Sequence, residues 1–266
     1  MIVKGQVLAE NLLAEIKLKA EKISGLTLVV IAVGTNPLSE RYIKIKTALA
    51  QKIGIEIKFF EFEESITESE LINEIIKLND DKSVTGIVVQ LPLPGQLNTA
   101  QVLATIDPNK DPDALSSAPV VVAPVALAVA EIFRAHNINV SGKNAVVVGR
   151  GRLVGQPVAL YLVSVGAEVK QFDLANKNDL AVALAQADIV VSGAGVPGLI
   201  KPQMLKVGVV LIDAATSESN GKLAGDADPE CADRCSLFTP VPGGVGPLTV
   251  ICLFKNVIAL GSKQRV

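Results

Sequence analysis

The chain has 266 residues, about two domains at the usual 100–200 residues each. Apolar residues make up 49% and the net charge is −2, with no basic block of five residues, which leaves nucleic-acid binding without support. No run reaches the roughly 18 uninterrupted apolar residues of a membrane span, and a soluble, cytoplasmic protein is expected.

Residues 1–24 read as an amphipathic helix carrying acids, with Leu8, Leu12 and Ile16 on one face, and not as a signal peptide. A buried strand at 26–33 follows, then a turn at 34–37 and a helix from Ser39. Strand 56–62 leads through an acidic loop to Thr67-x-x-Glu70, a capping box opening a helix through Leu78, and strand 84–90 closes the set. Glu61, Glu63, Glu64, Glu68 and Glu70 are expected to lie on a solvated edge and helix start. A short helix near 99–106 and the polar turn 107–113 end the first region. Helix 124–136 and strand 144–149 then open a Rossmann-like half, with further strands expected at 168–173, 188–192 and 209–213. A last, largely apolar helix starts at Pro247. Alternating strands and helices predict an α/β protein of two domains with parallel sheets and a cleft between them. The expected boundaries are 1–118, completed by 247–266, and 119–246.

Cys231, Cys235 and Cys252 cannot all pair within one chain, and no C-x-x-C spacing exists, so reduced thiols are expected, the first two buried near a helix. His136, the single histidine, falls where a helix ends, and a catalytic role is not expected of it.

Between strand 144–149 and the next helix the chain reads Gly149-Arg150-Gly151-Arg152-Leu153-Val154-Gly155. Glycines there let backbone N–H groups meet a phosphate at a helix N-terminus. The spacing is one residue longer than the common dinucleotide fingerprint. Gly149, Arg150, Gly151, Arg152, Val154 and Gly155 are candidate cofactor-binding residues, with Asp173 at the end of the next strand. An acid at that place accepts hydrogen bonds from ribose hydroxyls and repels a 2′-phosphate, favouring NAD. Arg150 and Arg152 could instead pair with such a phosphate, so NADP stays open.

In the first half Tyr42 and Lys46 stand four residues apart and share a helix face. A tyrosine ring can stack on a flat ligand, and a partly desolvated lysine exchanges protons near neutrality. Gln90 ends a strand in Gln90-Leu91-Pro92-Leu93-Pro94-Gly95, where its amide can orient the lysine, and Asp113 in Lys110-Asp111-x-Asp113 can accept from the N–H groups of a heterocycle. With Thr239-Pro240-Val241-Pro242-Gly243-Gly244-Val245-Gly246-Pro247-Leu248-Thr249, these segments resemble the bifunctional methylenetetrahydrofolate dehydrogenase/cyclohydrolase family over almost the whole chain.

The resemblance implies oxidation of methylenetetrahydrofolate with NAD or NADP, NADP being the family's usual partner, followed by hydrolysis of the methenyl product to formyltetrahydrofolate. It implies Lys46, Tyr42, Gln90 and Asp113 as the catalytic set: Lys46 serves the water step, Tyr42 stacks on the aminobenzoate, Gln90 positions Lys46 and Asp113 anchors the pterin. Pro242, Gly243 and Gly244 line the nicotinamide end of the substrate site. No metal is implied, and a homodimer is.

The sequence departs from the family pattern mostly at the cofactor segments. Gly151 stands where the family has serine, Asp173-Leu174 replaces a His-Ser pair, and Asp213-Ala214-Ala215 replaces Asp-Val-Gly. Ala114 follows Asp113 in place of glycine, the segment after Asp113 is shorter than usual, and Val121-Val122-Ala123-Pro124 replaces Pro-Cys-Thr-Pro. These changes keep two other readings open: a cyclohydrolase with a weak or lost dehydrogenase, and a folate-binding protein without catalysis.

Overall fold

The computed structural model describes residues 1–35, 37–173, 175, 179–219 and 222–264, and their side chains except at 37–42, 218, 219 and 222. The protein forms two compact units, Asn11–Pro124 with Val250–Val266, and Met1–Glu10 with Val125–Thr249.

Helix α1 (Gly5–Ala20) passes at Asn11 into the first unit, where it buries Leu12 and Ile16 and leads to β1 (Thr27–Val33). Helix α2 (Pro37–Ile53) starts two residues before Ser39, because the fixed φ of proline suits a first helical turn. Then follow β2 (Glu56–Phe62), α3 (Glu68–Asp80), β3 (Gly86–Val89) and α4 (Thr99–Ala104). The sheet is parallel in the order β2-β1-β3. Central β1 is buried nearly throughout, whereas edge strand β2 stays largely in contact with solvent, as a strand covered on both faces and a strand at an edge require. The capping box of α3 forms as expected, Glu70 N–H donating to the Thr67 hydroxyl and Thr67 N–H to the Glu70 carboxylate. Leu71, Ile75 and Leu78 then face Val29, Ile31, Ile87 and Val89 in the core. Strand β3 is shorter than 84–90, yet Thr85 and Gln90 still donate backbone N–H to the Thr27 and Ile31 carbonyls. Gln90 therefore sits in fixed backbone at the carboxyl end of the sheet.

The second unit contains α5 (Pro124–Ala135), β4 (Asn144–Val148), α6 (Gly155–Ser164), β5 (Glu168–Phe172), α7 (Leu180–Gln186), β6 (Ile189–Ser192) and β7 (Val209–Asp213). A small antiparallel pair, β8 (Ser217–Ser219) and β9 (Lys222–Ala224), precedes β10 (Cys235–Thr239). The parallel sheet runs β10-β7-β6-β4-β5, a Rossmann-like arrangement with a fifth strand that the sequence reading lacked. The free edge of β10 is covered by the first residues of the chain: Val3 N–H donates to the Phe238 carbonyl, and Phe238 N–H to that of Met1. Cys231 lies in the 3-10 turn Pro229–Arg234 and Cys235 begins the strand that follows it, so both are buried beside a helical turn, as expected. All three cysteines are buried thiols.

The last helix, α8 (Gly246–Lys263), buries Leu248, Phe254 and Val257 completely. Among the described residues no helix is long and apolar enough to cross a membrane.

Candidate active site

Lys44 and Lys52 point into solvent from α2, but Lys46 is only 8% exposed. Its Nζ donates to Gln90 Oε1 at 3.0 Å, and Gln90 Nε2 donates to the Leu91 carbonyl at 3.3 Å. The amide is thereby oriented with its oxygen toward the lysine. Burial lowers the Lys46 pKa, opposed by the charge of Asp113. Asp113 in turn is pushed up to about 6, first by burial and further by Asp111, against the pull of Lys46. Its side chain keeps partial solvent contact, which screens part of that effect. The proton affinities of this amine and this carboxyl are thus moved toward each other, an arrangement suited to proton transfer. The structure brings Lys46, Gln90 and Asp113 together. Tyr42 lies on α2 one turn before Lys46, but its side chain is outside the described residues.

The turn bearing Asp113 is held by residues the sequence reading gave no role. Lys110 donates Nζ to the Leu78 and Asp81 carbonyls at 3.1 and 2.6 Å, closing the end of α3. Fully buried Asp111 accepts from Ser116 N–H at 2.6 Å. Ala114 adopts φ 58°, the left-handed conformation for which the family glycine is suited. Asn256 of α8 donates Nδ2 to the Pro112 and Val122 carbonyls, both at 2.8 Å. A buried polar residue in an otherwise largely apolar helix was the available signal, and its partners, far away in sequence, were not.

In the second unit the three loop glycines have different tasks. A Cβ on Gly149 would meet the Gly193 carbonyl oxygen at 2.6 Å, and one on Gly155 would run into Gly149 O, so both serve close packing of β4, α6 and the β6 loop. Nothing lies within 4 Å of a Cβ placed on Gly151. That opening adjoins the N-terminus of α6, where Val154 supplies no side-chain cap; the fit is to a phosphate approached by backbone N–H groups. Val154 packs where a Cβ on Gly193 would otherwise stand. Arg152 is exposed. Arg150 and Asp173, which pulled the cofactor expectation in opposite directions, form an ion pair with Nε 3.4 Å from Oδ2.

Two buried acids that were given no role from the sequence brace loops at the carboxyl ends of β6 and β7. Asp226 accepts from the Ser192 hydroxyl at 2.6 Å and from the N–H groups of Ala194 and Val196, both at 2.7 Å. Asp213 accepts from Ala215 N–H at 3.1 Å and Ala227 N–H at 2.8 Å, and burial raises its pKa to about 6. The Pro242-Gly243-Gly244 turn is fixed from the chain start, Gly5 N–H donating to the Gly243 carbonyl at 2.9 Å. A side chain on Gly5 would collide with the Gly244 carbonyl.

Residues 3–113 match the family model for the catalytic domain of tetrahydrofolate dehydrogenase/cyclohydrolase, and residues 123–265 that for its NAD(P)-binding domain. The bifunctional protein FolD of Staphylococcus aureus is 39% identical over 262 residues, covering 94% of this chain and 91% of that protein. The crystal structure of FolD from Campylobacter jejuni aligns with a TM-score of 0.95 at 33% identity, over 100% of this chain and 99% of that one. The Trypanosoma brucei dehydrogenase-cyclohydrolase, solved with NADP and an inhibitor, aligns with a TM-score of 0.90 at 32% identity, over 99% and 97% of the two chains.

Proposed function

The chain belongs to the tetrahydrofolate dehydrogenase/cyclohydrolase family, and from that premise we propose how its residues divide two reactions. It is an oxidoreductase and hydrolase of one-carbon chemistry. Methylenetetrahydrofolate is oxidised to the methenyl form with a nicotinamide nucleotide, which takes up the hydride, and the methenyl form is hydrolysed to formyltetrahydrofolate.

In the hydrolysis the neutral Lys46 amine accepts a proton as water adds to the methenyl carbon, and returns it to the folate nitrogen as the C–N bond breaks. Gln90 keeps Nζ in place, Asp113 accepts from the pterin N–H groups, and Tyr42 stacks on the aminobenzoate. The observation that carries this assignment is Lys46 itself, buried and held at 3.0 Å by Gln90 Oε1.

Gly149, Arg150, Gly151, Arg152, Val154 and Gly155 hold the nucleotide phosphates and neighbouring ribose, and Pro242, Gly243 and Gly244 line the nicotinamide end. We assign NAD as the preferred nucleotide. The support is Asp173, an acceptor for ribose hydroxyls whose charge also engages Arg150. Folate binding belongs to residues 1–118 with 247–266, and nucleotide binding to 119–246. A homodimer fits the outward apolar face of α6, where Leu160 and Val163 are 66% and 58% exposed, beside the edge strand β5; light scattering of the purified protein tests it.

The deciding experiment supplies methylenetetrahydrofolate with NAD or NADP and follows methenyl formation, then supplies the methenyl compound directly. Both steps are expected. Hydrolysis alone would identify a single-activity cyclohydrolase, and folate binding without either step a non-catalytic protein. Lys46→Met should abolish hydrolysis with folding retained; unchanged hydrolysis would remove Lys46 from the mechanism.

A further inference from the structure

Residues 111–123, between the 3-10 turn Pro108–Lys110 and α5, contain no helix or strand, yet they carry the Asp113 carboxyl that must meet substrate. Side chains, not a ladder of backbone bonds, hold this segment. From α8, Asn256 Nδ2 uses both hydrogens, one on the Pro112 carbonyl and one on the Val122 carbonyl, close to the two ends of the segment. From the same end of the chain, Gln264 Nε2 donates to the Asn109 and Thr85 carbonyls at 2.9 and 3.0 Å.

The Pro112 carbonyl belongs to the peptide that continues into Asp113, so gripping it fixes the plane from which the Asp113 side chain departs. Asn256 is 4% exposed, between half-buried Lys255 and fully buried Val257, with fully buried Phe254 two residues before it. Burying an amide among such neighbours is costly unless it is hydrogen-bonded, and an apolar residue of similar volume would satisfy the packing of α8. What only an amide supplies here is a paired grip on two carbonyls of the segment bearing Asp113.

We propose that Asn256 is a positioning residue of the folate site, which holds the Pro112–Asp113 peptide so that the Asp113 carboxyl stands ready for the pterin beside Lys46. The proposal rests on the reading of Asp113 as the folate anchor. It makes the last helix, α8, a working part of that site.

The test measures hydrolysis of methenyltetrahydrofolate by the full-length enzyme. Asn256→Leu keeps bulk and removes both donors, while Asn256→Ser keeps a single shorter donor and is the milder variant should Leu disturb folding. Both are expected to raise KM, the former at least tenfold, with a smaller effect on kcat. Lys46 also loses the nearby charge that raises its pKa, so the acid limb of the pH–rate profile should move to lower pH. In an Asp113→Asn background the Asn256 substitutions should add little to KM, because both act through one group. A lowered melting temperature with wild-type KM and pH profile would reduce Asn256 to a structural amide. Fully multiplicative KM effects in the double variants would equally overturn the proposal. If Asp113→Asn alone leaves KM unchanged, the anchor reading itself fails; if it raises KM and the Asn256 variants do not, only the positioning fails.

Discussion

Lys46 Nζ stands 3.0 Å from Gln90 Oε1, a neutral acceptor beside a buried amine. This pairing orients the amine without adding a negative charge that would hold its proton. Burial keeps the Lys46 pKa below its ordinary value, so the neutral base is available closer to neutrality, and the hydrolytic rate should rise with pH through that lowered pKa. Gln90→Glu places a carboxylate at the same spot. An opposite charge at that distance raises a lysine pKa by about one unit or more, so the acid limb should move to higher pH and the rate at pH 7 fall about tenfold. Loss of methenyl absorbance, corrected for spontaneous hydrolysis, measures this; an unshifted profile would separate Gln90 from the base.

Arg150 and Asp173 form an exposed pair, worth about 0–1 kcal/mol to the fold, so its main consequence is chemical. In the proposed reading Asp173 offers an acceptor to ribose hydroxyls and repels a 2′-phosphate. Asp173→Ser removes the negative charge and releases the Arg150 guanidinium toward such a phosphate. The ratio of kcat/KM for NADP over NAD should rise about tenfold or more, with little change in melting temperature. An unchanged ratio would locate the choice of nucleotide elsewhere.

The sequence reading found what local pattern encodes. Strands 56–62 and 209–213 coincide with β2 and β7, and the Thr67/Glu70 box caps α3, because apolar runs and caps are properties of neighbouring residues. Gln90 was legible as a strand-end amide able to orient a lysine. Strand β10 was not: a short run broken by Ser236, it owes its strand state to pairing with β7 on one side and to Met1 and Val3 on the other. Asn256, Asp226 and Asp213 were likewise illegible as braces, since their partners are loop N–H groups and carbonyls whose positions exist only after folding. Within the glycine motif, only three-dimensional packing separates Gly149 and Gly155, pressed against backbone, from open Gly151.

Ala114 at φ 58° pays a steric penalty for its Cβ, about 1–2 kcal/mol for a left-handed L-residue. Ala114→Gly removes it while making the unfolded chain looser by about 0.4–1 kcal/mol. A net stabilisation of about 0.5–1 kcal/mol is expected, read as a higher urea midpoint with unchanged slope. Destabilisation would show that the alanine methyl makes packing contacts outweighing the strain.

Asp213 gives the nucleotide-binding unit a pH dependence of unusual sign. Burial raises its folded pKa to about 6, above the roughly 3.9 of an unfolded aspartate. Between these values the folded chain retains a proton that the unfolded chain releases, so this group's contribution to stability falls as pH rises from about 4 to 6 and is level above. With 1% exposure, solvent screens it little, and two units correspond to at most about 3 kcal/mol. Asp188 and Asp228 have lowered pKa values and act in the opposite direction, which would mask the effect in the wild-type curve alone. They are common to both proteins in a comparison with Asp213→Asn, which cannot titrate. Urea unfolding at intervals from pH 4 to 8 should show the wild-type stability, minus that of the variant, declining by about 2–3 kcal/mol up to pH 6 and then holding constant. A flat difference would mean that the Ala215 and Ala227 N–H groups stabilise the carboxylate enough to cancel its burial.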